Sequence, residues 1–498
     1  MARTNMAHAR SPLILAIDLG SSSVRTAWFS ESGVPVAGSS ASRKYTIRYT
    51  ADGGATLDPA DVLRAARACV ATTLKMRRDS AGLSARPAAG VAGSAFWHSL
   101  LGLDHRGRPL TPIYTWADSR SASDATRLRE SLSERRIQLR TGCMLRAPYW
   151  PAKLRWLRRT DPTLSQRVAR WTSPACWIFR ELFGVDVSSH SMASGTGLYN
   201  LRARRWDPEL CALSGIREEQ LDLIQDASSP NEQRSEEFRG ATIFPALGDG
   251  AAGNLGSGAD RPGLIAINIG TSAAVREIRL RDNVSSSQPA PGLFAYAVDP
   301  KCVVLGGAIS NAGNLHQWCL HELRTNRAAD GDAALDRRAA ADDTLTVLPF
   351  WIGERAPSWP PDLGGTIIGL SPTTSATDIL RATTTSTFYR LADILERLQT
   401  STARQVIVSG GILHSPASLA MLADALGSDI RICRELESSL RGAAVHALVN
   451  LGLRVKPLRP GRIVRHRVGL AAKHRNRRAA QRELERLLTR GHVPKTTR

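Results

Sequence analysis

Three observations in this 498-residue chain predict a two-lobed α/β fold. Strand-like apolar runs alternate with stretches of helical period, the pattern of sheets layered with helices. A strand, a Gly-hydroxyl turn and a second strand occur twice, at LILAIDLG (13–20) with VRTAWFS (24–30) and at LIAINIGTS (264–272) with AAVREIRL (273–280). A duplicated hairpin is what two related lobes leave behind in a sequence. Between the copies lies the glycine-rich segment ALGDGAAGNLGSGADRPG, and the lobes divide there, near 245–260.

In order, the chain reads as an N-terminal extension (1–12), a first lobe (13–259), a second lobe (260–454) and a basic tail (455–498). Helical periods appear at 58–76 and 121–139 in the first lobe, and at 376–398 and 415–427 in the second. IRYTADGGATLDP (47–59) is a turn-rich connection. VKPLRPGR (455–462), punctuated by Pro and Gly, marks the expected end of the compact fold, and 475–488 reads as a surface helix.

Composition narrows the classes. With 42% hydrophobic and 22% charged residues the chain has enough apolar material to bury a large core. No run of 18 apolar residues suggests a membrane span, and the short apolar stretch after residue 12 reads as a strand, not a signal peptide. Seven scattered cysteines without a CxxC suggest neither zinc nor disulfides, and fit a reducing cytoplasm. The net charge is +21, and 455–498 alone hold 14 Lys or Arg against two Glu. That charge lies outside the expected lobes and lacks interleaved aromatics, which argues against a nucleic-acid partner.

Several residues suggest chemistry. Gly20 with Ser21, Ser22 and Ser23 could grip phosphate oxygens or simply turn a hairpin. Asp18, at a strand end, could hold Mg²⁺ through water. Gly270 and Thr271 offer a second such turn, and the two together would clamp a triphosphate. No GxxxxGK[ST] is present, so this is not a P-loop. Asp249 between two glycines reads either as a helix cap or as a general base for a substrate hydroxyl. Gly411 and Ser415, with Gly307 and Gly313, could admit an adenine ring against backbone or be ordinary turn chemistry. Trp97, His98, Trp116, Asp118 and Arg120 suit a polyhydroxylated ligand. The last two could equally be a structural ion pair beside a buried ring.

At these motifs the sequence resembles the FGGY carbohydrate kinases, over roughly residues 13–454 and in the right order. IDLGSSSVR is similar to the family's first phosphate loop, TWADSRS to its substrate-lobe signature and ALGDGAAGNLGSGA to its catalytic-Asp loop. NIGTSAAVR resembles the second phosphate loop, GERAPSW (353–359) the linker of the second lobe and SGGILHSP the adenine loop. ELESSLRGAAVHAL (435–448) resembles the start of the last helix. The resemblance implies an actin-like/ribonuclease H-like fold with ATP and Mg²⁺ in the interlobe cleft. Asp249 would be the base and, with Asp18, would organise the metal. Ser21, Ser22, Ser23, Gly270, Thr271, Gly307, Gly313, Gly411 and Ser415 would meet the nucleotide. Trp97, His98, Trp116, Asp118, Arg120 and Tyr149 would line the sugar pocket.

SAFWHSLLGLD, PLTPIYTWADSR, SMASGTGLYNLRARRWDPEL and NIGTSAAVR are most similar to gluconate kinases. The expected substrate is therefore D-gluconate, with xylulose or another pentulose or polyol as the alternative, and a homodimer is left open. The sequence departs from the family at Trp97, where Met is usual, in SSHSMAS, which lacks an acidic residue, and in the basic tail. A non-catalytic sugar or nucleotide sensor on the same fold is the rival class. Retention of both phosphate turns and Asp249 argues against it.

Overall fold

Every residue of the first strand, β1 (Leu13–Leu19), is buried, so this strand needs cover on both faces. The computed structural model describes residues 11–229, 236–281, 288–323, 335, 344–360, 363–398, 404–459 and 461–490. Most of the expected N-terminal extension (1–10) and the end of the basic tail (491–498) lie outside the described residues. β1 pairs antiparallel with β2 (Ser23–Ser30), Leu13 opposite Ser30 and Leu19 opposite Val24. β3 (Ala41–Lys44) extends that edge, while β4 (Ala88–Ala95) and β5 (Thr242–Gly248) add in parallel on the other, giving the order β5-β4-β1-β2-β3.

The alternation of β1 separates two cores. Leu13, Leu15 and Ile17 pack with Val62, Ala66 and Cys69 of α1 (Pro59–Asp79). Helix α2 (Trp150–Thr160) belongs to the insertion between β4 and β5. From the same insertion, α3 (Pro174–Phe183) adds Phe179 and Phe183 to the first core.

After β5 comes α4 (Asp249–Ser257), and the second hairpin then repeats the first. β6 (Leu264–Ile269) pairs antiparallel with β7 (Ala273–Leu280), Ile265 opposite Glu277. β8 (Phe294–Ala297), β9 (Cys302–Ile309), β10 (Gln405–Ser409), β11 (Ile430–Ile432) and β12 (Ile463–Val464) complete a seven-stranded sheet ordered β8-β9-β7-β6-β10-β11-β12. Helix α5 (Gly313–Glu322) follows β9. Ile265 and Ile267 share a core with Leu391 and Ile394 of α6 (Ala376–Arg397) and Leu419 of α7 (Pro416–Leu426).

Two features depart from the sequence-based division. Helix α8 (Ser438–Asn450), placed by sequence in the second lobe, covers the other face of the first sheet. Its Leu440, Ala443, Ala444 and Leu448 pack on Ile14, Ala16 and Phe29. The basic segment, expected to lie outside the compact fold, belongs to the second lobe. β12 pairs with β11, and α9 (Ala471–Arg490) buries His474, Gln481 and Glu485 against α6 and the strand Thr346–Leu348. Arg390 of α6 is fully buried and ion-pairs with Glu485 at 2.6 Å, so the helix supplies the countercharge for a core guanidinium. In turn, Asp393 and Asp424 pair with Arg482 and Arg467, absorbing part of the tail's charge. Among the described residues no helix is long and apolar enough to cross a membrane.

Candidate active site

A cavity of ≈ 260 Å³ opens where the two halves meet. Trp97 and His98 reach it from the segment after β4, Trp116 and Tyr149 from the insertion, and Asp249 from the first residue of α4. The second half contributes Arg276 on β7, Tyr296 on β8 and Arg355, while Ser21 and Ser272 arrive from the two hairpin turns. The Tyr149 and Tyr296 hydroxyls lie 2.7 Å apart, joining the halves across the cavity wall. Trp97 donates its indole N–H to the Ser191 carbonyl at 3.0 Å. A Cβ on either Gly248 or Gly250 would overlap the same indole. The glycines around Asp249 therefore make room for Trp97, and Gly250 for the Arg276 guanidinium as well, a reason the motif alone does not reveal.

Asp249 is not the helix cap, for Gly248 holds that position. One oxygen of Asp249 accepts from the Gly250 N–H at 2.7 Å. Burial raises its carboxyl above the usual range, and Arg276 opposes that shift. Arg276 and Arg355 are themselves pulled down by burial, Asp249 countering in each case. The Nε of each lacks a hydrogen-bond partner. Burial drives the His98 imidazole down to about 3, so it is neutral at physiological pH. Its Nδ1 lies 2.5 Å from the Gly195 carbonyl, which only accepts, so Nδ1 carries the proton and Nε2 is free to accept.

At the end of β1, burial raises the Asp18 carboxyl to about 6, and the negative charge of Asp249 adds to the shift. A buried carboxylate whose charge is opposed by a second carboxylate beside the cavity fits a divalent cation. Among the described residues no cluster of three or more His, Cys, Asp or Glu forms. An ion held here would keep most of its water, as Mg²⁺ does.

A second hollow of ≈ 640 Å³ adjoins the β6–β7 turn. Gly270, Thr271, Gly313, Gly411 and Ser415 line it, together with Thr384 and the ring of Phe388. The Gly270 carbonyl accepts from the Gly313 N–H at 2.9 Å, and that of Thr271 from the Ala312 and Asn314 N–H groups at 3.2 Å, so the turn and the start of α5 are one unit. Gly410 has φ +95°, and a Cβ there would overlap the Ile269 carbonyl oxygen. Bare backbone and hydroxyls beside an aromatic ring suit a nucleotide.

Not every expected residue arrives. Asp118 and Arg120 line neither hollow. They pair with each other at 2.5 Å, Asp118 accepts from the Ala55 N–H, and Arg120 lies over the Trp156 ring. Gly307 sits inside β9, where a Cβ would press on Ala356 and Ile394, so its smallness serves packing. Ser22 and Ser23 shape the first turn, the Ser23 carbonyl accepting from Gly20, and only Ser21 of the three lines the cavity. Arg276, Arg355 and Tyr296 carry no local signal. The first two lie within NIGTSAAVR and GERAPSW, but nothing in those strings says that a guanidinium faces Asp249.

Residues 13–256 match the FGGY family of carbohydrate kinases, N-terminal domain, and residues 265–451 match its C-terminal domain. The chain is 27% identical over 461 residues to a gluconokinase of Bacillus subtilis (strain 168), covering 88% of each chain. It is 28% identical over 456 residues to a glycerol kinase of Roseobacter denitrificans, covering 88% of this chain and 91% of that one. Crystal structures of a gluconate kinase and of a xylulose kinase, both from Lactobacillus acidophilus, superpose with a TM-score of 0.86 at 24% identity. They cover 97% and 96% of this chain and 99% of each of theirs, and bear on the fold alone. With two domain matches spanning most of its length, the chain belongs to the FGGY family of carbohydrate kinases, phosphotransferases acting on sugar hydroxyls through a two-domain actin-like/ribonuclease H-like fold.

Proposed function

We propose that this kinase transfers the γ-phosphoryl group of ATP to the terminal hydroxyl of D-gluconate, giving 6-phosphogluconate, with Asp249 as general base. The observation that carries the reading is that Asp249 and two partly buried guanidiniums, Arg276 and Arg355, face one cavity lined by sugar-compatible aromatics. A carboxylate-bearing substrate would satisfy a guanidinium that the protein leaves partly unpaired. His98 and Arg120 do not serve this purpose, since the first is neutral and the second is paired outside the cavity.

Gly270, Thr271, Gly313, Gly411 and Ser415 bind the nucleotide in the larger hollow, with its phosphates directed toward Ser21 and Ser272 of the smaller cavity. Asp18 and Asp249 would hold Mg²⁺, which when bound would neutralise phosphate charge. Asp249 takes the hydroxyl proton as the oxygen lone pair forms the new bond to the γ-phosphorus, and the bond to the β,γ-bridging oxygen breaks with its electrons going to ADP. Positioning by the aromatic walls and charge stabilisation supply most of the acceleration.

A neutral ketose such as xylulose is the second reading. Both guanidiniums already have Asp249 as a countercharge, and neutral His98 offers an acceptor for a hydroxyl. The test is kcat/KM for gluconate and xylulose side by side at saturating ATP, with gluconate expected to be preferred. A tenfold preference for a neutral sugar, about 1.4 kcal/mol of transition-state discrimination, would overturn the gluconate reading and leave the kinase intact.

A further inference from the structure

Lys153 is 1% exposed, on the helix that follows Tyr149. Its ammonium donates to the Thr115 carbonyl at 2.6 Å, to the His98 carbonyl at 3.0 Å and more loosely to that of Tyr114 at 3.5 Å. These carbonyls belong to two separate segments, one carrying Trp97 and His98 and the other carrying Trp116, and all three side chains line the cavity. His98 is one of few non-glycine residues with positive φ, +67°, a conformation that persists only where neighbours hold it. An apolar side chain would fill the same volume but would take from the His98 carbonyl its donor and break the bridge to the Thr115 carbonyl, which would keep only the Asp118 N–H, as the Tyr114 carbonyl would keep that of Leu100. A buried lysine is costly, so its retention here needs a reason beyond stability.

We propose that Lys153 is a positioning residue for the sugar site, tying the Trp97–His98 and Trp116 segments to α2 and holding His98 as the neutral Nδ1–H tautomer whose Nε2 accepts from a sugar hydroxyl. The inference rests on this cavity being the sugar site, but not on which sugar binds. The ammonium also lowers the basicity of His98 by like-charge repulsion, which acts in the same direction as burial. Lys153 itself titrates in an accessible range, for burial pulls it down to about 7, Asp118 opposing and Arg120 adding. The titratable or charged groups facing it are Asp118, Arg120, Tyr114 and neutral His98.

The sign follows from linkage. Above pH 7 the free enzyme loses the proton and with it the charge and one donor. Sugar binding favours the ordered, protonated arrangement, so it takes a proton up and the sugar KM rises with pH, by up to about tenfold per unit. Measurements use whichever of gluconate and xylulose the wild type turns over better, so failure of the gluconate assignment leaves the test standing. Lys153→Met should raise the sugar KM tenfold or more, keep kcat and the ATP KM within about threefold, and abolish the pH-dependent rise. Lys153→Gln, which keeps an N–H donor, should fall between. An unchanged sugar KM, a fall confined to kcat, or an identical pH profile in Lys153→Met would overturn the proposal. If Lys153→Met does not fold, the wild-type profile decides, and a flat sugar KM from pH 6.5 to 9 would overturn it. If no sugar is phosphorylated, the kinase assignment of the cavity fails and the role of Lys153 fails with it.

Discussion

Asp249 opens into the cavity beside the Trp97 indole, which packs over its flanking glycines, and the guanidiniums of Arg276 and Arg355, so its carboxylate is partly shielded from solvent and countered at once. Desolvation strengthens it as a base, and the arginines keep it ionised enough to act. Asp249→Asn preserves shape and the contact with the Gly250 N–H while removing the proton acceptor. The expected result is a fall in kcat of about 10²–10⁴, with ATP binding by calorimetry nearly unchanged. Near-normal turnover would remove Asp249 from the role. The Gly-Asp-Gly string was legible because it is contiguous. The arginines that tune it were not, because their approach to Asp249 is set by how β7 packs against α4 and the 353–359 segment against β9. Asp118 and Arg120 misled for the converse reason: adjacency to Trp116 in sequence suggested the pocket, while their mutual pairing turns them away from it.

At the scale of elements, the hairpins at 13–30 and 264–280 were readable because period-two alternation and a Gly-hydroxyl turn are local signals. The clamp around the second turn was not, since it depends on the N–H groups at the start of α5 reaching back to Gly270 and Thr271. Gly410 closes the same unit from β10, at a φ that disfavours side chains and with no space for a Cβ. Gly410→Ala should lower unfolding free energy by more than about 1 kcal/mol, read as a lower urea midpoint. It should also raise the KM for ATP more than that for the sugar. A variant with wild-type midpoint and ATP KM would show that the β10 turn tolerates a side chain and does not shape the nucleotide hollow. Two-residue strands such as β12 leave no periodic trace, which is why the tail looked detached.

At the scale of the molecule, the basic C-terminal segment is structural. Truncation after residue 462 would remove β12 and α9, take Glu485 away from Arg390 and uncover the face of α6 that α9 packs against. The truncated chain should show a markedly lower Tm and lose turnover through unfolding. Unchanged Tm and kcat would show the segment to be dispensable. The crossing of α8 onto the first sheet has a temporal consequence. A ribosome makes Ile14, Ala16 and Phe29 within the first thirty residues, yet their partners Leu440 to Leu448 come last but for about fifty. At about 5–20 residues per second, the interval is roughly 20–80 s. Throughout it one apolar face of the nascent first sheet has no native cover, and it presents a surface that chaperones bind and that promotes aggregation. Separate expression of residues 1–260 would make that interval permanent.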